Sequence, residues 1–509
     1  MIEWFADLSG GISQVFALTV FLAALVGVTL GVVIGVIPGL GPAVAISLAI
    51  PLTYNLGPLA AISMMLGIYK GGTYGGSISA IMINTPGTPA SAASVLDGYP
   101  MARAGKSGKA LNIALYGSVI GDAVSIMALC VIAQPMAAIA LKFGPTELFA
   151  LLVFAMTIIA GLSGDSLLRG LIAAALGLAF ATVGIDPMVG MPRFTFDQLF
   201  LDDGFPIIPM VIGMFAMTEV MTQAEKLVTR AGGALLPPAA SRADDTVSGA
   251  EFRRCLPVYL QSSAIGTGIG ALPGTGSTTG AYLSYGAARA RSKNPQEFGK
   301  GSIEGLAAAE SGNNAVVGGA LIPMLTLGVP GDVVTAILMG ALTVHGIHVG
   351  PLIFEQYRMF VFSLFGMLLV SVIMLLLVGK VAILGCRRLA TLPQSIIMPI
   401  VILLCVIGAY SVNYAVSDVW MMLGFALLGY TMNKFDVPLP PFIIAFVLGP
   451  QLEQSLRRAL LLSRGEFSAF VTHPISLGFL ILAAVFVVMI IRNARKKRAA
   501  ARTAGATTY

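Results

Sequence analysis

Gly31-Val-Val-Ile-Gly-Val-Ile-Pro-Gly-Leu-Gly41 and Gly266-Thr-Gly-Ile-Gly-Ala-Leu-Pro-Gly-Thr-Gly276 share the pattern G-x3-G-x2-P-G-x-G at a constant offset of 235 residues (31 to 266). Each stretch lies in an apolar run and places Pro-Gly where a helix would otherwise continue. Proline removes a backbone donor and glycine frees the chain conformationally, so the pattern predicts a helix that breaks inside an apolar segment. In lipid an unsatisfied N–H or C=O costs several kcal/mol, so such a break is tolerable only against protein, water or a ligand. A second echo follows in each half: Gly75-Gly76 leads to Thr85-Pro86-Gly87, and Gly318-Gly319 leads to Val329-Pro330-Gly331. The chain therefore reads as two copies of one unit.

Of the 509 residues, 57% are hydrophobic and 11% charged, against roughly 25% charged in soluble domains. The mean hydropathy is +0.89. Apolar blocks recur at Ile12 to Ile37, Leu148 to Ile159, Met359 to Val378 and Pro474 to Ile491, and ~20 such residues cross ~30 Å of hydrocarbon. These features predict an all-α polytopic membrane protein with broken or re-entrant helices and about ten to twelve spans.

The expected organisation is a first transmembrane repeat over residues 1–224 and a polar cytoplasmic linker over 225–255 that contains Pro237-Pro238 and Ser241-Arg-Ala-Asp-Asp-Thr. A second repeat covers 256–472, a terminal transmembrane helix 473–492 and a basic cytoplasmic tail 493–509. The net charge of +6 comes mainly from clusters at Arg103/Lys106/Lys109, Arg289/Arg291/Lys293/Lys300, Arg387/Arg388 and the tail. Lys and Arg mark cytoplasmic loops, so these clusters report orientation rather than a nucleic-acid partner, and they place the C-terminus in the cytoplasm. The cluster follows the Pro-Gly turn in the first half and precedes it in the second. Equivalent loops then lie on opposite sides, which makes the repeats inverted, an arrangement that binds substrate and coupling ions near the midplane.

Several signals lead nowhere. The N-terminus carries acids and no basic n-region, so no cleaved signal peptide is expected. Cys130, Cys255, Cys386 and Cys405 are far apart and suggest neither a disulfide framework nor a zinc site. Gly105-Lys106-Ser107 resembles the end of a P-loop, but Pro100 stands where that motif needs glycine. No organic cofactor is expected.

The chemistry is read at the breaks. Exposed helix N-termini offer N–H groups to an anion, and unwound carbonyls can hold Na⁺. Candidate substrate ligands are Pro38, Gly39, Leu40 and Gly41 at the first break, with Asn84, Thr85, Pro86, Gly87 and Thr88 downstream. At the second break they are Pro273, Gly274, Thr275, Gly276, Ser277, Thr278 and Thr279, a stretch dense in hydroxyls. A charge inside a span costs roughly 2.5–3.5 kcal/mol to insert, which makes Lys70 a functional suspect. It is suited either to neutralising a carboxylate or to pairing with an acid. Glu310, Asn313, Asn314, Pro330, Gly331 and Asp332 are candidate ligands for Na⁺ or carriers of H⁺, with Asp122 as a further acid. Asp332, directly after Pro-Gly, also suits a helix cap.

These residues resemble the large membrane subunit of the tripartite tricarboxylate transporters over nearly the full length. The carriers are the duplicated glycine stretches, Tyr74-Gly-Gly-Ser77 with Asn84-Thr-Pro-Gly87, and Asn313-Asn314 with Leu327-Gly-Val-Pro-Gly331. The resemblance implies a secondary transporter of the bacterial inner membrane that takes up citrate-like or other carboxylates on an ion gradient. It also implies a small membrane subunit and a periplasmic solute-binding protein as partners. A carboxylate channel or a membrane scaffold without ion coupling is the alternative, and a membrane enzyme would need clustered acids or histidines that the sequence lacks.

Overall fold

The computed structural model describes residues 2–162, 166–186, 188–227, 245–389 and 394–505. Its helices begin with α1 (Ile2–Val15), α2 (Leu18–Gly35), α3 (Pro42–Ala49), α4 (Pro58–Ile83), α5 (Ala92–Arg103) and α6 (Ser107–Ala140). There follow α7 (Pro145–Leu162), α8 (Leu167–Ala181), α9 (Ile207–Val211) and α10 (Thr218–Leu227), the last two joined by a π-helical turn at Ile212–Met217. Between α8 and α9, β1 (Gly184–Ile185) pairs antiparallel with β2 (Pro192–Arg193). Then come α11 (Gly249–Gly270), α12 (Gly276–Arg291), α13 (Ile303–Leu327), α14 (Val333–Val344) and α15 (Ile353–Gln356). The chain continues through α16 (Arg358–Leu389), α17 (Gln394–Asn413), α18 (Val416–Lys434), α19 (Leu439–Leu462), α20 (Ala469–Thr472) and α21 (Pro474–Gly505).

The protein is an all-α polytopic membrane protein, as composition predicts. Among the described residues, length and apolarity single out six spanning helices: Leu18–Gly35, Ser107–Ala140, Pro145–Leu162, Ile207–Glu225, Arg358–Gly385 and Pro474–Arg492. With 26 and 25 residues, α4 and α13 are also long enough to cross. Their glycines, hydroxyls and charges dilute the apolar signal. A helix buried on all sides needs no lipid-facing apolar face, and both are buried along nearly their whole length, from Ala60 to Met82 and from Gly305 to Thr326.

The chain packs as two compact units, Met1–Ala137 with Ile207–Tyr430 and Ala138–Pro206 with Thr431–Tyr509. Their limits do not fall at the 225–255 linker, of which 228–244, including Pro237 and Pro238, lie outside the described residues. The repeats are a likeness between stretches of chain and need not be units of packing.

In the first unit, glycine stripes let backbones touch. A Cβ on Gly27, Gly31 or Gly35 of α2 would lie 2.1 Å from the Met64 carbonyl oxygen, 2.5 Å from that of Ile68 or 2.6 Å from that of Gly72. From α4 the same holds for Gly71 and Gly75, at 2.2 Å from the Val28 oxygen and 2.5 Å from that of Val32. Small residues at such spacing let helices associate in lipid, where burial supplies little drive between them. The contact recurs between α11 and α13: a Cβ on Gly266 would lie 2.3 Å from the Gly312 oxygen, and one on Gly319 would lie 2.5 Å from that of Thr267.

These pairs also fix a register. Gly31 on Ile68 matches Gly266 on Gly312, and Gly75 on Val32 matches Gly319 on Thr267. Gly87, whose Cβ would lie 2.3 Å from the Gly35 oxygen, matches Gly331, whose Cβ would lie 2.8 Å from the Gly270 oxygen. Positions 68 and 312, 75 and 319, and 87 and 331 are each 244 apart. The echo of Gly75-Gly76 in Gly318-Gly319 is therefore one residue out of structural register.

The second unit packs α8 against its neighbours through two glycines: a Cβ on Gly170 would lie 1.9 Å from the Ala160 oxygen, and one on Gly177 would lie 2.1 Å from the Phe442 oxygen. Its β-ribbon is tied to α19 by charge: Arg193 bonds Glu453 (2.7 Å) and Arg457 bonds Asp186 (2.8 Å). Irregular backbone of this kind belongs outside the hydrocarbon. The Met188 N–H donating to Asp186 holds that carboxyl below the usual carboxylate range, with help from Arg457 and the Val189 N–H. A lowered folded-state value stabilises the ribbon above the unfolded value of about 3.9, and this contribution is lost as pH falls through the folded value. The Met188 and Val189 amides should keep their hydrogen-exchange protection at pH 6 and lose it well below about pH 4. Protection unchanged at low pH would show that the ribbon does not depend on this charge.

Candidate substrate and ion site

The first break runs from the end of α2 to Gly41, which precedes α3. Gly39 has φ of 87°, a left-handed conformation that favours glycine, and Leu40 is buried. A Cβ on Gly39 would collide with Glu219 and Gln223 of α10, at 2.1 Å from Glu219 Oε1. Gln223 donates to the Pro38 carbonyl (3.4 Å) and to Glu219 Oε1 (2.6 Å). Sequence reading missed both residues, although Glu219 lies inside an apolar span and the rule that singles out Lys70 applies to it equally.

Downstream, Asn84 ends α4 in a left-handed conformation (φ 56°) and is exposed, while Thr85 donates to the Ile83 carbonyl (3.2 Å). Pro86 leads into Gly87, whose N–H donates to the Gly76 carbonyl (3.1 Å). Thr88 is buried and shares a 2.8 Å hydrogen bond with Ser91. Asn84 and Thr85 are thus set apart from the buried polar groups, and Gly87 seats the turn on α2 and α4.

At the second break Pro273 is buried and the Gly274 N–H donates to the Gly331 carbonyl (2.7 Å), which joins the two predicted motifs of this half. Gly276 opens α12. The Thr275 hydroxyl donates to the Ile269 carbonyl (2.5 Å), and that of Thr279 to the Thr275 carbonyl (2.8 Å). Ser277 and Thr278 are partly exposed. The Tyr69 hydroxyl of α4 donates to Asp332 Oδ2. Asp332 caps α14, accepting from the Thr335 N–H (2.8 Å) in a reciprocal capping box. Pro330 and Gly331 are buried beside it.

Lys70 is fully buried and occupied. Its Nζ donates to the Leu368 carbonyl (3.0 Å) and to Ser371 Oγ (2.8 Å) on α16, and it lies 3.4 Å from Asp122 Oδ2 on α6. Neither Asp122 oxygen has a hydrogen-bond partner among the described residues, so charge alone holds that carboxylate. Of the two roles open to Lys70 in the sequence, the structure places it in the ion pair.

Glu310 lies at the buried centre of α13 and accepts hydroxyls from two other helices: Ser94 of α5 and Ser118 of α6. Ser118 in turn accepts from Asn314 Nδ2 (2.8 Å). Asn313 is equally buried, and both its side-chain polar atoms lack partners among the described residues, as does Asn314 Oδ1. The three groups form one belt. Tyr69 and Lys70 are adjacent on α4, and Ser118 and Asp122 lie four apart on α6, on one helical face.

Comparison with known proteins finds the Tripartite tricarboxylate transporter TctA family matched over residues 21–444. The chain belongs to this family. Two relatives from Agrobacterium vitis are similar. An "Uncharacterized 52.8 kDa protein in TAR-I ttuC' 3'region" is 34% identical over 88% of both chains. An "Uncharacterized protein in TAR-II ttuC' 3'region" is 35% identical over 46% of this chain and 97% of its own. No solved structure is significantly similar to the chain. The TctA match spans both breaks and the whole polar belt, so this multi-pass membrane protein of a transporter family carries its buried charges within the family region.

Sequence reading of this TctA chain also missed Asp97 of α5. Its Oδ1 accepts from the Gly299, Gly301 and Ser302 N–H groups (2.8, 2.9 and 2.8 Å), and its Oδ2 accepts from Tyr285 (2.9 Å). Those partners lie some two hundred residues downstream, so no local pattern announces them. The hydroxyls Ser94, Ser118 and Ser371 were invisible for the same reason: a serine in an apolar helix acquires meaning only from what it faces.

Proposed function

We propose that this chain is the large permease subunit of a binding-protein-dependent secondary transporter that takes up a di- or tricarboxylate such as citrate. The observation that carries the reading is the buried belt of carboxyl, amide and hydroxyl groups on the two central helices, next to two breaks with free helix ends. Intramembrane polar groups at such cost mark an ion or substrate path. A carboxylate meets the N–H groups at Pro38–Gly41 and the N–H groups and hydroxyls at Pro273–Thr279, where Ser277 and Thr278 are the side chains best placed to receive it. Lys70, paired with Asp122, contributes positive charge behind that site and does not contact the substrate directly. Na⁺ or H⁺ is taken up at the acids and amides of α13 and couples uptake to its gradient. The two copies act as inverted repeats, one part moving against the other in alternating access. The chain works in the bacterial inner membrane with its C-terminus in the cytoplasm, beside a small membrane subunit and a periplasmic solute-binding protein.

Uptake of radiolabelled di- and tricarboxylates into proteoliposomes holding this chain and its small partner tests the reading. Accumulation that needs both the binding protein and an ion gradient is expected. Downhill leakage alone, or no flux across a broad panel with folded components, would overturn it in favour of a channel or a scaffold.

A further inference from the structure

The register set by the glycine contacts pairs each residue of α4 with the residue of α13 that is 244 further on. Tyr69 then corresponds to Asn313, Lys70 to Asn314 and Leu66 to Glu310. At the Lys70 position the first copy holds an ammonium paired with Asp122. At the corresponding place the second copy holds the Asn314 amide, with the Glu310 carboxyl one turn earlier. The two share Ser118, which donates to Glu310 Oε2 (3.3 Å) and accepts from Asn314 Nδ2 (2.8 Å).

The buried carboxyls are compensated differently. Asp97 receives three backbone N–H groups and a phenol, Asp332 caps a helix and receives a phenol, and Asp122 faces Lys70. Glu310 sits mid-helix with hydroxyl donors, and no described ion pair reaches it. Beside it, Asn313 Oδ1 and Nδ2 and Asn314 Oδ1 are buried without hydrogen bonds among the described residues. Such atoms are costly unless something fills their valence. A proton on Glu310 would neutralise the acid and leave the amide oxygens as they are. A metal cation balances the carboxylate and fills both amide oxygens, leaving Asn313 Nδ2 as the one atom it does not satisfy, and oxygen ligands of this kind suit a hard cation. One carboxylate balances one positive charge.

We propose that Glu310, Asn313 and Asn314 bind a Na⁺ ion, which supplies in the second copy the positive charge that Lys70 supplies permanently in the first. The coupling role of this ion rests on the transport reading above; its binding does not. Asp332, Pro330 and Gly331 then build the turn and cap α14, outside the ion's ligand set.

The test uses the full-length chain purified in nanodiscs, with thermal unfolding followed against NaCl at ionic strength held constant by N-methylglucamine chloride. The wild type should gain a saturable rise in Tm with Na⁺. Glu310→Gln and Asn313→Ala should raise the half-saturating Na⁺ at least about tenfold, the loss of roughly one ligand's worth of affinity. Asn314→Lys, which places an ammonium beside Glu310, should hold its Tm without Na⁺ and gain nothing from it. In proteoliposomes with both partners, that variant should carry carboxylate downhill regardless of Na⁺ and accumulate none. Unchanged half-saturation in both Glu310→Gln and Asn313→Ala would overturn the site, as would a wild type that responds to pH and not to Na⁺. If Na⁺ stabilisation behaves as described while no carboxylate is transported, the site stands and the transport reading falls. If the wild type accumulates substrate on a Na⁺ gradient and Glu310→Gln and Asn313→Ala do so equally, transport stands and the site falls.

Discussion

Lys70→Met is expected to destabilise the protein by about 3–5 kcal/mol, the cost of leaving one member of a buried ion pair without its partner. Both side chains are fully buried, so no solvent screens the charge left behind. Asp122 has no hydrogen bond among the described residues to replace the ammonium. Lys70 also anchors α4 to α16 through Leu368 and Ser371, and methionine fills the volume without making those bonds. The double variant Lys70→Met/Asp122→Asn removes both charges and should recover much of the loss, because a buried pair is often worth little more than a neutral pair of similar shape. Thermal unfolding of the four proteins in a double-mutant cycle measures the coupling. If the double variant is as unstable as Lys70→Met alone, the α16 hydrogen bonds rather than the charge pairing carry the effect.

The second large effect is expected at the Pro-Gly turns. A Cβ on Gly87 would lie 2.3 Å from the Gly35 oxygen and 2.7 Å from Gly76 Cα. One on Gly331 would lie 2.6 Å from Ala320 Cα and 2.8 Å from the Gly270 oxygen. Every one of these neighbours is backbone, so no side chain can swing aside, and α2 and α4, or α11 and α13, must part. Gly87→Ala and Gly331→Ala should each cost about 1–3 kcal/mol or more through overpacking. They should also cut carboxylate uptake per folded molecule at least about tenfold, since a shift of about 1 Å at a binding site can cost more than that. Gly286→Ala on α12 is the control: nothing lies within 4 Å of its Cβ, and alanine favours the helix. Uptake by Gly87→Ala and Gly331→Ala equal to that of Gly286→Ala would show that the turns are not coupled to the transport path.

The glycines of the repeated pattern serve two different ends, which explains part of what sequence reading could and could not resolve. Gly39 and Gly274 carry positive φ at the breaks, whereas Gly31, Gly35, Gly266 and Gly270 lie inside helices and bring backbones into contact. A single motif therefore contains a helix interface followed by a helix end. The stretch alone announces the break, through Pro-Gly, and gives no sign of which carbonyl its earlier glycines touch.

By itself the sequence determined the membrane class, the helical architecture and the positions of both breaks. Each follows from local chemistry: too few charges to hydrate a surface, apolar runs of spanning length, and a proline without a donor next to a glycine without a side chain. It also exposed the duplication, because an offset in chain number survives any folding. Only the tertiary structure decided how the buried charges are spent. Lys70, a suspect substrate ligand in the sequence, is tied to Asp122 and α16; Asp332 caps a helix; and Asn84 is exposed at a helix end. Glu310 gathers hydroxyls from two helices, and Glu219 closes on a break far upstream. The physical reason is that a charge in a low-dielectric interior takes its meaning from the few groups within a hydrogen bond of it, and those groups come from parts of the chain that no local pattern connects.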